Sequence, residues 1–274
     1  MHGCVMAISL NSSTGLSNTF STNSNTNTQF NRIGSGQRIN SAADDAAGLA
    51  ISNRMAAQLG GLNTSARNAG DGISLVQVEA GALSSINENM QRIRELSIQA
   101  ANGSLNRSDR EALQKEAAQL LDETQSTLET SNFNGVKLLS DDSELQFQVG
   151  PNVSDTISIE GTNLQEKLDE EGLFDIDLST QASASSALGA LDASLSIVSE
   201  RASELGAVAN RFESAIDNLQ ETAINTAEAK SRISDADIAK EAADLTANKI
   251  KDQAQIAVQA QANGNRGLVL QLLA

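Results

Sequence analysis

The sequence predicts a mainly α protein: an elongated helical bundle or coiled coil, formed by the N- and C-terminal halves, with a small β-hairpin. Three observations carry this. From Leu188 to Thr226 one stripe recurs at alternating steps of three and four: Leu188, Leu191, Leu195, Val198, Ala202, Leu205, Ala209, Phe212, Ile216, Leu219, Ala223 and Thr226. That period marks a coiled-coil seam, sustained beyond the roughly 8 to 20 residues of an ordinary helix. The 274 residues include one proline, Pro151, so little interrupts the helices. They include no Trp or Tyr, and apolar content carried by Ala, Leu, Ile and Val suits thin helix-on-helix packing.

In chain order, residues Asn11 to Asn31 are Ser, Thr, Asn and Gln apart from Gly15, Leu16, Phe20 and Phe30. Such side chains compete for backbone hydrogen bonds and disfavour helix. We expect disorder in the free monomer, as either a flexible tail or a segment that orders on assembly. Order is expected from Ser41, whose spacing to Asp44 resembles a capping box. The stripe Met55, Leu59, Leu62, Ala66, Ala69, Ile73, Val76, Ala80, Leu83 then shifts to Ile86, Met90, Ile93, Leu96 or Ser97, and Ala100, which reads as a stammer. Gly60, Gly61, Gly70, Gly72 and Gly81 within this helix point to closely approaching backbones, against about 1 kcal/mol lost per Gly relative to Ala.

Ser108 with Glu111 predicts the cap of a second helix, striped by Leu113, Ala117, Leu120, Thr124 and Leu128. Phe133, the turn dipeptide Asn134-Gly135 and Val136 follow. Leu145, Phe147 and Val149 alternate with glutamines, and Ile157 and Ile159 flank Ser158, which predicts a β-hairpin turning at Gly150-Pro151-Asn152. Glu160 to Ser186 reads as an acidic, then Ser/Ala-rich, connector. Ser234 and Asp237, with Ile233 and Ile238 placed as a hydrophobic staple, open a last helix through Ala242, Leu245, Ile250, Ala254, Ala257 and Ala260, ending near Gly264. Leu268, Val269, Leu270, Leu272 and Leu273 form an apolar terminus that calls for a cover: an oligomer, a chaperone or the chain itself.

A net charge of −16 argues against a nucleic-acid partner, since phosphate binding needs clustered Lys and Arg. Cys4 and His2 are the sole cysteine and histidine, which excludes a disulfide framework or a Cys/His zinc site within one chain. No nucleophile, metal-binding or phosphate-binding motif is present, and no cofactor is expected. Asp44-Asp45 reads as a helix N-terminus and Asp141-Asp142 as a solvated turn. The start of the chain lacks the pattern of a cleaved signal peptide, and no apolar run is long enough for membrane insertion.

Several stretches resemble bacterial flagellins: Ile39-Asn-Ser-Ala-Ala-Asp-Asp-Ala-Ala-Gly48, Asn68 to Ser74 (NAGDGIS), Gln91 to Gln99 (QRIRELSIQ), Phe133-Asn-Gly-Val-Lys137, Ile233-Ser-Asp-Ala-Asp237 and Gln259-Ala-Gln-Ala-Asn263. They occur in the family's order from about residue 32 onward. The resemblance implies a short flagellin lacking the variable outer domains, polymerising as a homo-oligomer into the helical filament of the flagellum for motility. It implies a discontinuous filament-core domain (1–40 and 235–274) and a helical rod domain (41–234) with the hairpin around 133–160. Implied assembly residues of the core domain are Ile238, Leu245, Ile250, Leu268, Leu270, Leu272 and Leu273. Implied partners are an export chaperone, the filament cap and hook-associated proteins, after flagellar type III secretion to the cell exterior without a cleaved signal. Arg92, Leu96, Gln99 and Glu116 match the family's subunit contact face, which is also seen by the animal Toll-like innate immune receptor. The alternatives are a hook-filament junction protein or a surface-displayed flagellin-like adhesin.

Overall fold

The computed structural model describes residues 26–273, with side chains described through residue 265. Helix α1 covers residues 26–35. It is followed by α2 (Ala46–Ala100), α3 (Arg107–Thr130), β1 (Asn132–Phe133), β2 (Val136–Lys137), β3 (Leu145–Gln148), β4 (Thr156–Ile159), α4 (Leu164–Glu170), α5 (Gln181–Ser234) and α6 (Ile238–Leu273). The described residues form two compact units, one from Gln58 to Ile224 and one joining residues 26–57 with residues 225–273.

In the unit Gln58–Ile224, α2 and α5 run antiparallel. Arg94 meets Asp192, Glu79 meets Arg201, and Gly72 lies against the Phe212 ring. On α5 the buried positions include Leu191, Ser194, Val198, Arg201, Leu205, Phe212 and Leu219. Arg201 therefore occupies the seam position that the apolar pattern assigns to Ala202, which is exposed. On α2 the buried series reads Leu62, Ser65, Ala69, Gly72, Val76, Glu79, Leu83, Ile86, Met90, Ile93, Ser97 and Ala100. This is one unbroken alternation of threes and fours, so the expected stammer is absent. The apolar residues Ala66, Ile73 and Ala80 had masked it, because the true seam carries a Ser, a Gly and a Glu.

Each of those three residues has a reason to be inside. A Cβ on Gly72 would stand 2.6 Å from Phe212 Cζ, so only Gly admits the ring. Phe212 in turn meets Phe147 of β3 edge-to-face, with centroids 5.5 Å apart. Glu79 is neutralised by Arg201, and Ser65 is small.

The caps differ from the sequence reading by a residue or two. Asp45, not Ser41, receives the first free amide of α2 (Gly48 N–H, 2.8 Å), while Asp44 accepts from the Ser41 amide and hydroxyl in the preceding turn. For α3 the reciprocal box is Asn106 with Asp109, not Ser108 with Glu111. Asn outranks or equals Ser as a cap and sits nearer the polar break.

The expected hairpin is β3 with β4, pairing Phe147 with Ile157 and Leu145 with Ile159. A smaller one, β1 with β2, turns at Asn134 (φ 50°) and Gly135 (φ 84°), the pair of positive φ angles that an Asn-Gly hairpin turn requires. The segment read as a connector is instead part of the core. Leu164, Leu168, Leu173, Ile176 and Leu178 are buried, Asn163 caps the start of α4, and α5 begins already at Gln181.

In the other unit, α1 contradicts the expected disorder for residues 26–31; residues 11–25 lie outside the described set. The helix ends at Gly36, whose φ of 69° is the left-handed stop that Gly supplies. Chain 36–38 then pairs with 234–236. Gln37 bridges Asp235, the Ala236 amide donates to Gly36 C=O, and Arg38 Nη2 donates to Ile233 C=O. Ser234 closes α5 rather than opening α6, which Asp237 caps through the Lys240 amide. Helix α6 continues through Gly264, past the predicted end, to Leu273.

Candidate assembly surfaces

Two regions answer to the residues singled out in the sequence. In the unit Gln58–Ile224, Arg92 on α2 reaches α3: its Nε and Nη2 donate to Glu116 Oε1 at 3.1 and 2.7 Å, and its Nη1 donates to Glu95 at 2.9 Å. Hydrogen bonding to Glu116 first, then to Glu95, raises the Arg92 pKa further. Both partners are about half exposed, so solvent screens the pair and it is open to another surface. Gln99 is exposed beside it. Leu96 is not part of this face. It is 2% exposed and belongs to the core, because it shares the buried turn of α2 with Ser97. The resemblance to the family's contact face had included it.

The other region is α6. Its half-buried stripe is polar apart from Leu245: Glu241, Leu245, Asn248, Asp252 and Gln255. Glu241 pairs with Arg32 of α1 at 3.3 Å, Asn248 donates to Gln29, and Lys249 lies over the Phe30 ring. The large apolar residues are turned outward. Ile238 is 45% exposed, Ile250 61%, Ile256 64% and Val258 68%. At about 100° per residue they point to at least three sides of the helix. A helix apolar on several sides needs several neighbours. Ile256 and Val258 are absent from the sequence-derived set, which follows Ile238, Ala242, Leu245, Ile250, Ala254, Ala257 and Ala260. Leu268, Leu270, Leu272 and Leu273 belong to the stretch whose side chains are outside the described residues.

Charge separates the units as well. Residues 58–224 hold 10 Lys and Arg against 27 Asp and Glu, whereas the remainder holds 9 against 8. The whole negative excess thus resides in one unit. Among the described residues no group of His, Cys, Asp or Glu is arranged to hold a metal ion, and no helix is long and apolar enough to cross a membrane.

Residues 8–144 match the family model of the bacterial flagellin N-terminal helical region, and residues 188–273 match that of the C-terminal helical region. A flagellin of Halalkalibacterium halodurans is 43% identical over 243 residues, spanning 88% of this chain and 89% of that one. The chain belongs to the bacterial flagellin family. The flagellin of Bacillus subtilis is 37% identical, over 92% and 94% of the two chains. The crystal structure of Bacillus cereus flagellin superposes with a TM-score of 0.52 at 29% identity, covering 60% of this chain and 94% of that one. As a flagellin, the chain is a structural subunit of the flagellar filament that self-assembles, and not an enzyme. The junction-protein and adhesin alternatives are not favoured.

Proposed function

We propose that this flagellin polymerises through its terminal domain, residues 1–40 with 235–274, and that the helical rod domain, residues 41–234, adds contacts between neighbouring subunits. The observation supporting this reading is the outward apolar surface on several sides of α6, at Ile238, Ile250, Ile256 and Val258. Surface of that kind is a liability in a monomer and is stabilised when other copies cover it. Near-neutral charge in the same unit removes the repulsion that would oppose close contact there. Leu245 and the apolar end at Leu268, Leu270, Leu272 and Leu273 belong to the same proposal.

The rod-domain contact face consists of Arg92, Gln99 and Glu116. In a filament it meets a neighbouring subunit; on the free monomer it is available to a Toll-like innate immune receptor. Before assembly the apolar end of the chain requires a cover, which a flagellar export chaperone provides during type III secretion to the cell exterior. The filament cap and hook-associated proteins receive the subunit there. Deleting Leu268 to Ala274 is the direct test: the shortened chain should stay soluble, keep its helical content, and fail to elongate seeds in electron micrographs. Filaments of normal length from that chain would refute the assignment of assembly to the terminal domain.

A further inference from the structure

Within the unit Gln58–Ile224, the α2 to α5 seam repeats so regularly that apolar burial alone does not define its register. Away from two layers the seam is lined on both helices by buried aliphatic residues, among them Leu83, Met90 and Ile93 of α2 and Leu191, Val198 and Leu205 of α5, so a slip of one heptad, about 10 Å of helix, would still leave much aliphatic surface buried. Two layers would not survive the slip. Arg201, 5% exposed at its side chain, donates from Nη2 to Glu79 Oε1 at 2.7 Å and from Nε at 2.8 Å, while Glu79 is 1% exposed. One turn beyond Val76, the Phe212 ring occupies the space that the missing Gly72 side chain leaves.

We propose that the Glu79–Arg201 pair is a register lock for α2 and α5, seconded by the Gly72–Phe212 layer. A slip in one direction places Arg201 against Ile86 and Phe212 against Glu79. A slip in the other places Arg201 against Gly72 and Phe212 against Ser65. Either way a buried guanidinium and a buried carboxylate lose each other, and an uncompensated buried charge is far more costly than the pair itself is stabilising. A single polar residue in an apolar seam specifies coiled-coil register in the same manner. Arg201 also reaches Glu204 at 3.3 Å, on the solvent side of the pair, so the guanidinium keeps one partner at the rim while its fork is held inside. The lock concerns the subunit's own fold and does not depend on which surfaces join copies in a filament.

The test uses the full chain with Cys4→Ser and nitroxide labels at Ser85→Cys and Ser199→Cys, both exposed positions on the two helices. Pulsed electron paramagnetic resonance then reads the distance between them. F212L, which loosens the aromatic layer but keeps the ion pair, should give one distance population. Adding E79L and R201L, which removes both charges without orphaning either, should give a second population from chains slipped by about 10 Å along the helix. Swapping the charges (E79R with R201E, in F212L) should restore one. A single unchanged population in the Leu/Leu variant overturns the proposal. So does loss of its helical circular dichroism, since the pair would then be a stability element and not a register device.

Discussion

Gly72→Ala should destabilise this flagellin although alanine is the better helix former. The new Cβ would lie 2.6, 2.8 and 3.0 Å from three atoms of the Phe212 ring, distances that real Cβ contacts do not tolerate. Phe212 is fully buried and abuts Phe147, so the ring has no free side to retreat to. Overpacking of this kind costs about 1–3 kcal/mol, and the Gly to Ala propensity gain offsets about 1 of that. Gly70 and Gly81 supply the control, because a Cβ at either meets nothing within 4 Å. G70A and G81A should gain up to about 1 kcal/mol, so their difference from G72A isolates the steric term. At about 2–4 °C per kcal/mol for a chain of this size, thermal melts of the monomer resolve it. G72A combined with F212L should recover about 1 kcal/mol or more relative to the sum of the single changes. If G72A melts with or above G70A, or if the double variant is merely additive, the close approach of α2 to the ring is not as described.

Three further outcomes are expected. Ile250→Asp with Ile256→Asp should abolish filament elongation, yet change monomer stability by no more than about 0.5 kcal/mol, since both side chains are largely exposed; a large loss of stability would mean that they pack within the subunit. Raising NaCl from about 0.05 to 0.5 M, which shortens the screening length from above 10 Å to below it, should lower the critical concentration for polymerisation several-fold, because residues 58–224 carry the entire negative excess; a salt-independent value would remove self-repulsion as the cause. Hydrogen bonds from the Ser179 amide and hydroxyl hold Asp177 below the usual carboxylate range. Its contribution is therefore present above the unfolded pKa near ~3.9 and lost as pH falls through the lower folded value, so the melting difference between wild type and D177A should shrink below about pH 4. Glu79 has the opposite sign: burial, only partly offset by Arg201, raises its pKa, so its contribution is complete below the unfolded value and declines as pH rises through the folded one. A D177A difference constant across pH 3 to 7 would contradict the first assignment.

Much of this architecture was legible in the amino-acid order. The three-and-four repeat of leucine, isoleucine and valine is a local property, so the existence of α2, α3 and α5 followed from it, and the alternation around Phe147 and Ile157 marked β3 and β4. The resemblance of Asn68 to Ser74 and Gln91 to Gln99 to flagellins pointed to filament assembly from residue order alone. The proposed contact face was only partly legible: Arg92 and Glu116 do meet, but Leu96, included with them by the resemblance, is buried. Spacing along a helix tells which residues share a side; it does not tell which side the neighbours cover.

What only the tertiary structure decided are the places where the inner position is held by a residue that looks wrong for it. Glu79 and Gly72 break the apolar pattern of α2, and Arg201 breaks that of α5, so each helix read alone displaces its seam by one residue. Their fitness for the interior belongs to the partner across the seam: a carboxylate for a guanidinium, an absent side chain for a ring. Leu164, Leu168 and Leu173 show the same limit, since an acidic stretch reads as a solvated connector until a surface exists to bury its leucines. Periodicity is written in one segment, whereas complementarity needs two, and the second arrives only with the fold.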